Sequence, residues 1–225
     1  LELCKKSLAD FLDGKRRQFP RFYFVSEADL LDILSNGSTP AKILTHVTKV
    51  FLSTETLVLQ ETAGQARPSA THWKSGVGTE VVEFDAPVLL EGKVEIYLQT
   101  VLSSMQSTLN HALLKSHQRY PTQTRIEWLQ DKADGATATD PAAMTILVAA
   151  MKYVAEVEEA FAAMARGERD ALEEYNQAQV RQLGDLIKLT RTDLSKQDRK
   201  RVMVMITMDA HGRDIIRKLV REGVN

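Results

Sequence analysis

From Gly92 onward the apolar residues recur at three- and four-residue intervals, and that periodicity confines the chain to a largely helical fold. Val94, Leu98, Val101, Leu102, Met105, Leu109, Ala112 and Leu113 form one stripe, which Pro121 ends. A short helix is expected around Ile126, Trp128 and Leu129, and the small polar stretch from Asp134 to Asp140 reads as a solvent loop. Pro141 opens a helix to about Arg166, with Leu147, Ala150, Val154, Val157, Phe161 and Met164 inward, and Gly167 breaks it. Glu168 to Leu194 follows, using Leu172, Tyr175, Val180, Leu183, Ile187 and Leu194, and Ser195 caps a last helix to about Glu222. Helices of about 25 residues are each on the order of 40 Å long. Short breaks between them imply antiparallel neighbours. The expected fold is therefore mainly α, an elongated bundle of long antiparallel helices with one small β-hairpin.

The first half is more mixed. Leu1 to Gln18 has helical spacing and ends in Lys15, Arg16 and Arg17, where positive charge suits the helix dipole and a solvated end is the simplest account. Phe19-Pro20-Arg21-Phe22-Tyr23-Phe24 then gathers four aromatic rings in six positions. Pro20 stops the helix, and Arg21 to Val25 reads as an extended strap whose rings must be buried, with Phe22 and Phe24 as its anchors. Ser26 caps the next helix with Asp29 at its third position, and Asn36-Gly37 ends it. A third helix runs from Pro40 to about Leu52. Leu57 to Leu59 is a short β-like run. Thr71 to Lys74 and Thr79 to Phe84 flank Ser75-Gly76-Val77-Gly78 as a hairpin, with His72, Trp73 and Glu80 as a possible contact surface. Two strands alone are marginal in water, so the hairpin must lean on helices or on a partner. Three segments result: 1–56, 57–90 and 91–225.

Net charge is −1, which gives no electrostatic case for nucleic acid or a membrane surface as partner. The single cysteine, Cys4, has no internal disulfide partner, and its simplest reading is a helix-face residue. The longest apolar run, Met144 to Met151, is too short to span a bilayer. No phosphate loop, nucleophile elbow or metal-spaced histidine set occurs, so no catalytic, cofactor or metal residue is assigned. The chain begins at Leu1, without an initiator methionine, and is expected to be a segment of a longer polypeptide.

The most pointed polar cluster is Asp209-Ala210-His211-Gly212-Arg213-Asp214. Asp209 and Arg213 stand four apart with the acid first, the favourable order for a helical ion pair, and a structural lock is expected. Gly212 lies between them near the middle of a long helix. It serves a hinge, makes room for a close neighbour, or is merely tolerated, and tolerance with the ion pair compensating is the expectation.

Four stretches carry a family resemblance. Phe19 to Ser26 with the acidic Asp29-Leu30-Leu31-Asp32-Ile33-Leu34 helix closely resembles the linker region of dynein heavy chains, just upstream of the motor ring. Gly78 to Phe84 with Gly92 to Leu98, Asp185 to Thr190, and Met208 to Ile215 resemble later parts of the same region, in the same order. Gly14 to Gln18 and Gly76 to Glu80 are most similar to axonemal, outer-arm-type chains. Gly212 departs from the family, where alanine is common. The resemblance implies the ring-proximal part of a mechanical lever in the cilium or flagellum axoneme. It would have no chemistry of its own; ATP and Mg would sit in the adjoining AAA+ ring, which would be its partner, and the microtubule would be contacted only indirectly. The alternatives are a helical adaptor that binds partner helices, an enzyme with an unlisted motif, and a cytoplasmic location.

Overall fold

The computed structural model describes residues 2–76, 80–130 and 140–223, together with the backbone of 132–133 and 137–138. The chain divides into two compact units, residues 1–110 and 111–225, with the division inside one long helix.

The first unit opens with α1 (Glu2–Gln18), which ends at the aromatic stretch. That stretch is not the extended strap expected from Pro20. Pro20–Phe24 is a 3-10 helix, with Phe22 N–H donating to the Phe19 carbonyl at 3.0 Å and Val25 N–H to the Phe22 carbonyl at 3.2 Å. Proline's fixed φ suits a first helical position as well as a strand, and local i to i+3 bonds close the turn. Side chains three apart eclipse in such a turn. Phe19, Phe22 and Val25 are accordingly buried on one side, while Phe24 is 83% exposed. Phe24 is therefore not an anchor. The Phe19 and Phe22 rings meet edge to face at 4.9 Å, and Phe51 joins them at 6.5 Å.

α2 (Glu27–Ser35) is capped as its sequence suggests, with Asp29 N–H donating to Ser26 Oγ at 3.2 Å. The expected third helix is broken into α3 (Pro40–Ile43), a 3-10 turn (Leu44–His46) and α4 (Val47–Val50). The β element is a sheet and not a hairpin. Strands β1 (Thr54–Gln60), β2 (Ser69–Ser75) and β3 (Val81–Leu89) pair antiparallel in the order β1-β2-β3. Leu57 faces Trp73 across the first pair, and Trp73 faces Val82 across the second. Of the expected turn Ser75-Gly76-Val77-Gly78, Ser75 ends β2 and Gly76 N–H donates to the Ser53 carbonyl at 3.1 Å, while 77 and 78 lie outside the described residues. A third strand removes the need for two strands to stand alone.

α5 (Val94–Arg119) closes the core of this unit. Its buried Val94, Tyr97, Leu98, Val101 and Met105 share one cluster with Leu12, Phe22, Ile33, Trp73 and Phe84. Lys15, expected to be solvated, pairs with Glu95; their side chains are 14% and 5% exposed. Arg67 gathers the loop ends: its Nη1 donates to the carbonyls of Gly92 at 2.8 Å, Leu90 at 3.4 Å and Gly37 at 3.5 Å. Gly92 has φ +84°, where only glycine is at ease.

The second unit holds α6 (Arg125–Gln130), α7 (Ala142–Ala165), α8 (Ala171–Leu189) and α9 (Lys196–Arg221). Two-residue strands β4 (Lys132–Ala133) and β5 (Thr137–Ala138) pair antiparallel. The remainder of the expected solvent loop, 134–136 and 139, lies outside the described residues. Asp140, at its end, is 6% exposed and pairs with Arg119. The inward faces of α7 and α8 agree with those expected only in part. On α7, Thr145, Val148, Ala149, Ala160 and Ala163 are buried and the expected Val157 and Met164 pack against the core, while Leu147, Val154 and Phe161 are exposed; on α8, the expected Leu172 and Leu183 are buried together with Asn176, Gln179, Leu186 and Leu189, while Val180 and Ile187 are exposed. Small residues make up most of the buried face of α7, and two amides join four leucines on that of α8.

Candidate functional site

The residues singled out by sequence fall into two groups, one in each unit. In the first unit, Phe22 is fully buried. Trp73 is 9% exposed and packs on Phe84 at 4.6 Å between centroids, so it belongs to the inner face of the sheet and not to a contact surface. His72 stands on the opposite side of β2, opposite Glu83 in register, with its Nε2 3.9 Å from the Glu83 carboxylate. Glu80 offers its carbonyl to Ser75 N–H at 2.8 Å. Strand alternation explains the split: adjacent residues on a strand cannot share a face.

The second group centres on α9. Its start is fixed by Ser195, whose Oγ accepts from Asp198 N–H at 3.0 Å. Halfway along, Asp209 does not pair with Arg213. Arg125 of α6 takes it, Nη2 to Oδ1 at 2.6 Å, with both side chains 16% exposed, while Arg125 Nη1 donates to Gln182 Oε1 at 2.9 Å. Arg213 turns to Asp214 at 2.7 Å, and Arg217 joins the same carboxylate at 2.9 Å. The helical i, i+4 rule gives proximity, but a guanidinium fixed between two acceptors on neighbouring elements competes better than one that must bend back along its own helix. No local signal marks Arg125, which lies 84 residues from its partner.

Gly212 lies where a neighbour approaches closely. It is buried in a helical turn, and a Cβ built there would meet the Tyr153 ring at 2.8, 3.3 and 3.4 Å. The ring's hydroxyl donates to the Gly212 carbonyl at 3.4 Å, and Asn176 Nδ2 donates to the Arg213 carbonyl at 3.1 Å. Two side chains from α7 and α8 thus bond carbonyls of adjacent residues on α9.

Around this crossing lies a cavity of about 200 Å³, bordered by the rings of Tyr120, Tyr153 and Tyr175, by Ala149 and Ala150, and by the Arg125–Asp209 pair. Glu156 and Gln179 also border it. Tyr175 donates to Glu156 Oε2 at 3.3 Å. Burial holds the carboxyls of Glu156 and Asp209 above the ordinary range; for Asp209 the Arg125 charge only partly offsets it. Burial likewise raises Tyr120, Tyr153 and Tyr175, and the Glu156 charge adds to the last. Among the described residues, no group of three or more His, Cys, Asp or Glu is placed to hold a metal ion, and no helix is long and apolar enough to cross a membrane. The arrangement can clamp helices and hold a small polar guest.

Residues 1–116 match the family model described as dynein heavy chain, N-terminal region 2. The dynein alpha chain of the flagellar outer arm of Chlamydomonas reinhardtii is 44% identical over 96% of this chain. The beta chain of the same arm is 38% identical over all of it, and human dynein axonemal heavy chain 9 is 35% identical over 99%. The chain spans about 5% of the length of each of these relatives. With a family model over its first half and matching relatives along almost its whole length, this chain belongs to the dynein heavy chain family.

Proposed function

We propose that the chain is part of the mechanical linker of an axonemal dynein heavy chain. It carries nucleotide-driven rearrangement of an AAA+ ring to the tail during microtubule-based motility in a cilium or flagellum. It has no chemistry of its own and meets the microtubule only through the rest of the motor. The observation that carries this reading is the near end-to-end match to outer-arm heavy chains. The side-chain clamps on α9 are consistent with an element that transmits force, because a helix held at Asp209, Gly212 and Arg213 by three neighbours resists bending there.

The test is a heavy chain lacking this segment, assayed for ATP hydrolysis and for microtubule gliding. Hydrolysis is expected to persist while gliding is lost. Gliding at the wild-type speed would refute the lever, and loss of hydrolysis as well would assign the segment to the ring instead.

A second reading, a helical adaptor, draws on the exposed α7 positions Leu147, Met151, Val154 and Phe161, which share one helical stripe. Under it, Val154→Glu with Phe161→Glu leaves gliding intact and prevents incorporation of the heavy chain into its arm.

A further inference from the structure

We propose that the cavity beside α9 binds a compact organic cation with N–H donors, a guanidinium or primary ammonium on a short alkyl stem. This inference goes beyond the lever reading and does not depend on it.

Three polar atoms of the lining lack a partner: Gln179 Oε1, Asp209 Oδ2 and Arg125 Nε. Gln179 is 7% exposed, so its amide oxygen has no ready access to bulk solvent and carries a desolvation cost until a donor reaches it. Two of the three lone atoms are acceptors, and one of these belongs to a carboxylate that Arg125 engages through its other oxygen. The acids Glu156 and Asp209 share the lining with one guanidinium, Arg125, and Lys152 lies at its edge. Three tyrosine rings and the apolar Ala149, Ala150, Met208 and Ile215 complete much of the wall beside Gln182, His211 and Gly212, and they suit an apolar stem and the face-on approach of a positive head. Lys152 Nζ already lies 5.6 Å from the centroid of the Tyr120 ring, so a cation on an aromatic face is part of this unit as it stands. A bare metal ion would find too few ligands here among the described residues. An anion would meet two carboxylates.

The charged and titratable groups facing the cavity or its edge are Arg125, Lys152, Glu156, Asp209, His211 and the three tyrosines. Burial keeps Glu156 and Asp209 above their usual values, and a guest cation favours their ionised forms. Binding therefore releases protons and tightens as pH rises through the raised values.

The test is titration of the 225-residue chain with agmatine and with N-acetyl-argininamide, by calorimetry and by the ring resonances of the tyrosines. Tetramethylammonium, which has no N–H, is the control. Saturable binding of either guanidinium, at least tenfold tighter than the control, is expected. A preference for agmatine identifies a free amine as the guest, and a preference for the amide identifies an arginine side chain of a peptide. Gln179→Leu keeps the volume, removes the lone acceptor and should weaken binding at least tenfold with the melting temperature unchanged or raised. Ala150→Leu, which fills the cavity from another wall, should do the same. Absence of saturable binding at pH 8, equal binding of the control, or wild-type affinity in both variants would overturn the proposal.

Discussion

Replacing Gly212 by alanine separates two effects that oppose one another in this fold. In an ordinary helix interior the change stabilises by about 1 kcal/mol, because alanine restricts the unfolded chain and suits the helix. Here the new methyl would lie 2.8 Å from a ring carbon of Tyr153, closer than real methyls approach, with two more ring atoms at 3.3 and 3.4 Å. The ring must move, which strains packing by about 1–3 kcal/mol and stretches its hydrogen bond to the Gly212 carbonyl. The net expectation is a loss of up to about 2 kcal/mol, from a strain of about 1–3 less a gain of about 1. The second unit is best followed alone, through Trp128 fluorescence in a Trp73→Phe background during urea unfolding, since the chain has two tryptophans and one lies in each unit. In a Tyr153→Ala background the obstacle is gone, and Gly212→Ala should then stabilise by about 0.5–1 kcal/mol. A double-mutant cycle with no coupling, or stabilisation by Gly212→Ala alone, would refute the close-approach account.

Arg125→Ala strands the Asp209 carboxylate and should cost about 3–5 kcal/mol at neutral pH, whereas Arg213→Ala, whose Asp214 partner is half-exposed, should cost about 1 kcal/mol or less; urea unfolding of both variants reads the contrast. Phe22→Ala should cost about 3–5 kcal/mol and Phe24→Ala at most about 0.5 kcal/mol, measured by thermal denaturation. Because the Glu156 carboxyl is raised in the folded state, its contribution is most favourable at a pH below its unfolded value and is lost as pH rises through the folded one. Glu156→Gln should therefore gain stability over the wild type across that rise and track it at lower pH, as a series of unfolding curves from pH 4 to 8 will show.

Where one helix or one turn determined the outcome, the residues were enough. The caps at Ser26 and Ser195 and the long helix from Val94 follow from local hydrogen bonding and periodicity. The misread elements were those settled by a competitor out of local view. Phe19 to Val25 had two admissible backbones, and the eclipsed 3-10 turn won by burying three apolar side chains together. Thr54 to Gln60 gained its full length only from pairing with β2. Asp209 had a suitable base four residues away, yet a guanidinium 84 residues distant was better held. The cavity was invisible for the same reason: its walls come from well-separated stretches of the second unit, and no single stretch carries its signature.

Arg67 ties together more of the first unit's future than its exposed loop suggests. Its guanidinium serves carbonyls at Gly37, Leu90 and Gly92 at once, and Gly92 can turn its carbonyl there only because it tolerates a left-handed backbone. Gly37 is hemmed in as well, with Val94 3.2 Å from where a methyl would sit. All three carbonyls are reached from Nη1, and a lysine at 67 would bring a charged donor without the planar head that fixes its direction. A side chain at either glycine should shift a carbonyl that Arg67 holds, so the three positions are expected to be constrained together. Across related heavy chains these positions should be exchanged as a set, and lineages caught with only one of them altered should be few.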